Sequence, residues 1–526
     1  MDLLKALRSA AWERIFIIAL IILILFGLAT KLYLSTKLTL NSDTVGIGLE
    51  SMEIGRHGNY LLSGYYVTAA DTFFFTELIP FQLIPQVLTN YDPLALKLVV
   101  FVIFLLNLLV LSYIVYFVSG SYISALLFAA LAANIPADGY WQFAMPTTHN
   151  ATILFCGIVL VLLLYLHRQQ SAGPEKPENR KKPQVPAAKV PWKYLLVLLV
   201  LVFTTALSDT IFLVWLIVPF LLVYIFFYKH KNDLLNKTMT AIAVLSAAAY
   251  VIKTYLIPDW VAQPFVIRDL SDILNINLPL FFKAQASFLN KPLFDISAGS
   301  FTPGLIEIIS IVAFVVVIAY AIYGISSEGP GRKQFFYLIM AASIAVMFLA
   351  FLVSEYARDL GGSRYLTFTA LAVLMVVAVS YNKKYPLFGL AVLLLLITSA
   401  FFTITFVMTA SLAPNANEYA LIDYLEANNL TVGFGTYWDS NVVTYLSGEA
   451  VTIRSADYAG GHIYFEHWLN CERWYQNLPS RAFIIRENAS ISSSDREGFN
   501  ALLKNLNASA PLYYGQYDIY PYNVTG

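Results

Sequence analysis

Apolar residues come in long blocks along this chain, with the polar residues gathered between them. Blocks of about 17–23 apolar residues are long enough to cross the ~30 Å hydrocarbon core of a bilayer as helices. Roughly eleven such blocks can be drawn, near 14–35, 95–117, 120–135, 150–167, 193–208, 210–228, 238–257, 304–325, 334–353, 366–381 and 387–409. The third and fifth are short. The pattern predicts a polytopic α-helical membrane protein of about eleven transmembrane helices. The first block is too long for a signal-peptide core and lacks an Ala-x-Ala site, so it reads as a retained anchor.

Basic residues set the expected orientation. Lys5, Arg8 and Arg14 precede the first block, and Arg168, Lys176, Arg180, Lys181, Lys182, Lys189 and Lys193 fill the connection after the fourth. Lys229, Lys231 and Lys237, then Arg332 and Lys333, then Lys383 and Lys384 follow the sixth, eighth and tenth. With eleven spans all these clusters share one side, which the positive-inside rule makes cytoplasmic. The N-terminus is then expected in the cytoplasm of a multi-pass cell-membrane protein, with the C-terminal tail outside. Composition agrees: 58% of residues are hydrophobic and 13% charged, against about 25% charged in soluble domains. The net charge of zero leaves no nucleic-acid footprint. Cys156 and Cys471 lie far apart in the chain, so neither a disulfide nor a cysteine-based metal site is expected.

Irregular sequence collects on the expected outer side. The first loop, about 36–94, holds Asp43, Glu50, Glu53, Asp71 and Glu77, with a helical pattern through Val45–Arg56 and an apolar stretch from Phe73 that suits a segment lying flat on the membrane. Further outer segments are Ala137–His149, the Ser208-Asp209 turn, Pro258–Thr302 and Glu355–Arg364. On the inner side, Gly173–Pro191 is rich in Pro, Lys and Glu and reads as a disordered linker. The tail predicts a small external α/β domain, with helices at 420–427 and 495–506 and strands at 431–435, 451–454, 483–486 and 512–517. The expected division is a transmembrane domain, 1–411, and a soluble domain, 412–526. Asn429, Asn488, Asn507 and Asn523 stand in glycosylation sequons.

Ionisable groups near membrane depth are costly to hold and are functional candidates by default. Asp43, Asp138, His149, Asp209, Arg358 and Arg364 all fall at the outer ends of spans. A carboxylate beside arginines stays ionised at neutral pH and suits a general base. Arginine pairs bidentately with phosphate oxygens, which suits a phosphate leaving group. Asp43 is the expected catalytic residue; Arg364, Arg358, His149, Asp209 and Asp138 are expected on the phosphate side. Asp71 and Glu77 are candidates to assist from the acceptor side. Each has a plainer alternative: Asp43 as a helix cap, the arginines as lipid-facing anchors, His149 as a satisfied interfacial histidine, Asp71 and Glu77 as exposed loop acids. His462, Glu466 and His467 do not make a zinc site, because the histidines are five apart and not four.

The Asn41-Ser42-Asp43 run just past the first span resembles the catalytic acidic position of the glycosyltransferase C superfamily, the membrane-embedded group that uses lipid-linked sugar donors. In outline the chain is similar to protein O-mannosyltransferases and aminoarabinose transferases. Asp209 and Arg364, the latter in Ser363-Arg364-Tyr365, look like further family positions. Tyr437-Trp438-Asp439 resembles the Trp-Trp-Asp-Tyr-Gly motif of the oligosaccharyltransferase catalytic subunit, with Tyr for the first Trp and Ser440-Asn441 for Tyr-Gly; Trp438 and Asp439 are therefore acceptor-side candidates. The resemblance implies an inverting, hexosyltransferase-type enzyme that moves a sugar from a polyprenyl-phosphate donor to a protein, lipid or glycan acceptor on the outer face. It implies no cofactor, although oligosaccharyltransferase-like relatives use a divalent metal. Two other classes remain open. A transporter would show midplane charges, broken paired helices and repeated halves; Asn107, Asp209 and Lys253 come nearest. A non-catalytic membrane scaffold would use the tail to bind a partner.

Overall fold

A computed structural model describes residues 10–171, 192–227, 233–261, 266–299, 304–328, 331–355, 357–382, 385–459, 462–476, 479–487 and 495–524. The Gly173–Pro191 linker, Lys5, Arg8, Lys229, Lys231, Lys383, Lys384 and the Asn488 sequon lie outside the described residues. The chain is a polytopic α-helical membrane protein. Its apolar blocks are helices because a backbone in hydrocarbon can hydrogen-bond only to itself. In chain order they are α1 (Ala10–Thr36), α2 (Ser42–Gly55), α3 (Pro93–Ser119), α4 (Tyr122–Ala133), α5 (Ala137–Ala144), α6 (Asn150–Ser171), α7 (Trp192–Ser208), α8 (Leu213–Phe227), α9 (Asn236–Leu256), α10 (Leu305–Ser326), α11 (Arg332–Val353), α12 (Leu360–Val379) and α13 (Pro386–Thr409).

Among the described residues eight helices are long and apolar enough to cross a membrane, or nine if the pair α4 and α5, which meet at 93°, forms one span. The expected count of about eleven differs because α7 and α8 fill their predicted blocks but are shorter helices. An apolar run satisfies a hydropathy window before it satisfies a bilayer's thickness. The α4–α5 break falls at Pro136, which has no N–H to continue a helix. Lys31 of α1 donates to the Ile135 carbonyl freed there.

Two sheets lie beyond the bundle. β1 (Tyr65–Thr68) of the first loop pairs in parallel with β2 (Trp260–Val261) of the fourth loop. The tail contributes α14 (Ala416–Ala427), β3 (Val432–Gly435), α15 (Tyr437–Leu446), β4 (Thr452–Ala459), β5 (His462–Phe465), β6 (Asn470–Cys471), β7 (Arg481–Glu487), α16 (Asp495–Asn505), β8 (Leu512–Tyr514) and β9 (Tyr517–Asn523). Six of its strands form one sheet in the order β5-β4-β3-β7-β9-β8, with β3 parallel to β4 and β7 and the other pairs antiparallel. The strand expected at 512–517 is a hairpin that turns at Gly515, where φ is 56°, a conformation glycine reaches without strain. β6 leaves this sheet and pairs with β1.

First loop and tail share one hydrophobic core, in which Val45, Leu49 and Met52 of α2 pack with Val442, Tyr445, Ile453 and Phe483. Gly48 permits that approach, since a Cβ there would come 2.3 Å from the Tyr445 ring. Asn415 clasps the Leu40 peptide group: its oxygen accepts from the Leu40 N–H at 2.9 Å and its amide donates to the Leu40 carbonyl at 2.7 Å. Asn415 also holds φ at 57°. Asn415→Ala removes both bonds and puts a poorly suited residue in the left-handed region. The expected loss is about 2–4 kcal/mol from unpaired buried peptide groups, read as a lower unfolding temperature of the purified protein.

Candidate active site

Asp43 stands in the first turn of α2, yet it is not the cap. Asn41 is, accepting from the Thr44 N–H at 3.0 Å while its own N–H donates to the Thr44 hydroxyl at 2.8 Å. The helix behind Asp43 is buried along most of its length. With capping done by its neighbours, the Asp43 carboxylate turns to other partners, and its side chain is 27% exposed. Oδ1 accepts from the Tyr437 hydroxyl at 2.6 Å, and Oδ2 lies 3.9 Å from the Arg364 guanidinium. The Ser42 hydroxyl donates to the Tyr437 carbonyl at 2.5 Å, pinning the head of α2 to the head of α15. Burial, with the Asp43 charge beside it, pushes the Tyr437 hydroxyl well above its ordinary range. It therefore stays protonated and serves as a donor.

A second layer lies beside Arg364. His149 Nδ1 is 2.7 Å from Asp209 Oδ2, the Thr152 hydroxyl donates to the same oxygen at 2.5 Å, and the Ile211 N–H donates to Oδ1 at 3.1 Å. Burial works to raise the Asp209 carboxyl, but His149, the Thr152 hydrogen bond and Lys253 together hold it below the usual range. The buried Nε2 of His149 has no hydrogen-bond partner. Its ring is boxed by Phe73, Trp215 and Tyr365 at centroid distances of 5.3, 5.8 and 5.3 Å. Thr147 and His149 have φ of 60° and 68°, the kind of backbone strain that clusters at functional sites.

Arg364 donates to the Tyr365 hydroxyl at 3.3 Å, leaves its buried Nε unpartnered, and feels the charges of Asp71 and Asp43. Asp71 accepts from the Thr68 hydroxyl and bridges to Asp209 through the backbone. Burial pushes its carboxyl up to about 6, with His149 opposing. Glu77 accepts from the Gln82 amide and the Thr147 N–H, both at 3.2 Å, and burial pushes it up to about 7. Thus Asp71 and Glu77 are not the freely exposed loop acids of the plainer alternative.

Other expected residues stand apart. Arg358 is exposed and paired with Glu355. Asp138 is paired with Lys291 at 3.3 Å. Trp438 is 60% exposed, its ring packed edge-on against Tyr437 at 5.2 Å. Asp439 is buried and accepts from the Thr436 hydroxyl at 2.8 Å. Of that motif, Tyr437 is the residue that touches Asp43, and sequence reasoning passed over it as a departure from the pattern. Lys253, singled out in the sequence only as a candidate midplane charge of a transporter, belongs here too: fully buried, it donates to the Ala70 carbonyl at 3.1 Å in reach of Asp71 and Asp209. A lone lysine inside an apolar block was its signal. Among the described residues no group of three His, Cys, Asp or Glu side chains is arranged to hold a metal.

A membrane bundle with an acidic residue just past its first span, joined to a C-terminal mixed sheet, is an architecture shared with a solved membrane protein. The crystal structure of ArnT from Cupriavidus metallidurans bound to undecaprenyl phosphate has this fold: it aligns over 98% of both chains with a TM-score of 0.52 and 11% identity. The apo-state structure of the same protein aligns over the same shares with a TM-score of 0.43 and 12% identity. No protein-family model and no curated protein matches the chain in sequence.

Proposed function

We propose that this protein transfers a sugar from a polyprenyl-phosphate donor to an acceptor, with Asp43 as general base. The observation that carries this reading is the Asp43 carboxylate, partly exposed and set between the Tyr437 hydroxyl and the Arg364 guanidinium. The solved structure of like fold holds undecaprenyl phosphate, a lipid phosphate of the class such a donor would release. Asp43 takes the proton of an acceptor hydroxyl or amine as that atom attacks the sugar's anomeric carbon. The bond from that carbon to the phosphate oxygen breaks on the opposite face, so configuration inverts. The polyprenyl phosphate leaves as an anion, met by Arg364, with His149 on its Asp209 mount and Lys253 nearby. Preorganised donors at the site of developing charge give the largest share of such catalysis.

Exposed Trp438 suits the acceptor side, and the tail beyond residue 411 would form the outer wall of the site, outside the cell membrane. The hexosyl class of the donor belongs to the same proposal. The test is transfer of labelled sugar from polyprenyl-phosphate donors by the full chain in proteoliposomes. Absence of product across hexose and aminopentose donors, with acceptor extracts supplied, would sink the reading.

Asp71 adds a pH dependence. Its carboxyl, raised to about 6 by burial, is neutral below that pH and charged above it. An ionised Asp71 competes with phosphate for Arg364. Donor affinity is therefore expected to weaken as pH rises from about 5 to 8, and Asp71→Asn to flatten that fall. The stability sign runs the same way: the favourable contribution of neutral Asp71 is present below its unfolded value, about 4, and is lost as pH rises through about 6. Equilibrium binding of a polyprenyl-phosphate sugar, whose phosphodiester keeps one charge across that range, checks the first effect.

A further inference from the structure

The far end of the bundle carries a second arrangement of charge. Phe117 lies near the end of α3, which begins at Pro93; Arg168 lies near the end of α6, which begins beside His149; Arg332 opens α11. At 1.5 Å per residue these positions stand about 27–36 Å along their helices from the Asp43 end. The Arg168 and Arg332 guanidinium carbons sit 5.6 and 5.3 Å from the centre of the one Phe117 ring. Each charge acts on the other. Among the described residues neither arginine makes an ion pair, whereas neighbouring Lys333 is matched by Glu328 at 3.4 Å.

We infer that Arg168 and Arg332, converging on Phe117, hold the phosphate of an anionic phospholipid in the leaflet opposite the Asp43 site. Two guanidiniums within reach repel each other unless an anion lies between them. Their planar forks match phosphate oxygens, and basic pockets between transmembrane helices are where anionic head groups bind. A free phosphate offers the same oxygens, but the surface next to the pair favours a lipid. Tyr113 and Leu109, four and eight residues before Phe117 on the same face of α3, are 50% and 67% exposed, and the Tyr113 ring packs 6.2 Å from Phe117. That apolar ladder leads from the guanidiniums towards the bilayer interior, where an acyl chain would lie.

The experiment is native mass spectrometry of the detergent-purified full chain titrated with phosphatidylglycerol, phosphatidylcholine or inorganic phosphate. The wild type is expected to retain phosphatidylglycerol over phosphatidylcholine. The Arg168→Gln/Arg332→Gln variant should lose phosphatidylglycerol affinity by roughly fivefold per arginine, with phosphatidylcholine unchanged. Arg168→Lys/Arg332→Lys, which keeps the charge and loses the forks, should fall between and serves if the Gln pair misfolds. Equal retention of both lipids by the wild type, undiminished phosphatidylglycerol in the variants, or inorganic phosphate binding as tightly as the lipid would each overturn the inference.

Discussion

Asp43→Asn is expected to slow sugar transfer by about 10²–10⁴-fold, the usual contribution of a positioned general base. The substitution is nearly isosteric. Its amide oxygen can still accept from the Tyr437 hydroxyl that now meets Oδ1 at 2.6 Å, and the capping box of Asn41 and Thr44 does not involve it. The fold should therefore survive, and the unfolding temperature should stay close to that of the wild type. What goes is the basic oxygen that takes the acceptor's proton in the proposed reaction, together with the carboxylate facing Arg364 at 3.9 Å. Donor binding should hold or tighten, because Arg364 loses a competing carboxylate, while kcat falls. Labelled-sugar transfer in proteoliposomes, with undecaprenyl phosphate binding measured in parallel, separates the two. Transfer at the wild-type rate would remove Asp43 from the mechanism.

Arg364→Gln is expected to lower kcat/KM for the lipid-linked donor by about 10²–10³-fold, as when one donor to a developing oxyanion is lost. The loss should fall on donor KM as well as on kcat, since phosphate charge is present before reaction and grows as the bond to the sugar breaks. Arg364→Lys keeps the charge without the planar fork and should recover roughly a tenth of the lost activity. Unchanged donor kinetics in Arg364→Gln would mean that this guanidinium only balances Asp43 and Asp71. Arg358 is the internal comparison: exposed and paired with Glu355, it should tolerate the same change.

Membrane character was legible because hydropathy is local. Every block of the expected length is a helix in the structure, and the shortfall in span number comes from α7 and α8, whose apolar runs are shorter. The tail's strands β3, β4 and β7 were legible as short apolar runs between turn residues. α15 was not, because it is buried on most sides and so shows no clean helical stripe. Asp43 could be singled out because a carboxylate immediately after a span is rare and costly. Tyr437 could not: 394 residues separate it from Asp43, and nothing in its own neighbourhood says what its hydroxyl meets. Asp138 and Arg358 satisfied the same local criterion as Arg364, and the structure gives them other partners.

The sequence by itself determined that this chain lives in a membrane, that a small region of strands and helices follows its last span, and where an acid stands just past the first. Those properties follow from runs of neighbouring residues, which act on a bilayer or a backbone without help from distant parts. Only the tertiary structure decided which charges meet. The Asn415 clasp on Leu40, the Gly48–Tyr445 contact and the β1–β6 pairing draw the tail onto the first loop. That closure puts the Tyr437 phenol on the Asp43 carboxylate, and the packing of α12 in the bundle brings the Arg364 guanidinium to the same group, because electrostatic interactions fall with distance through space and take no account of separation along the chain.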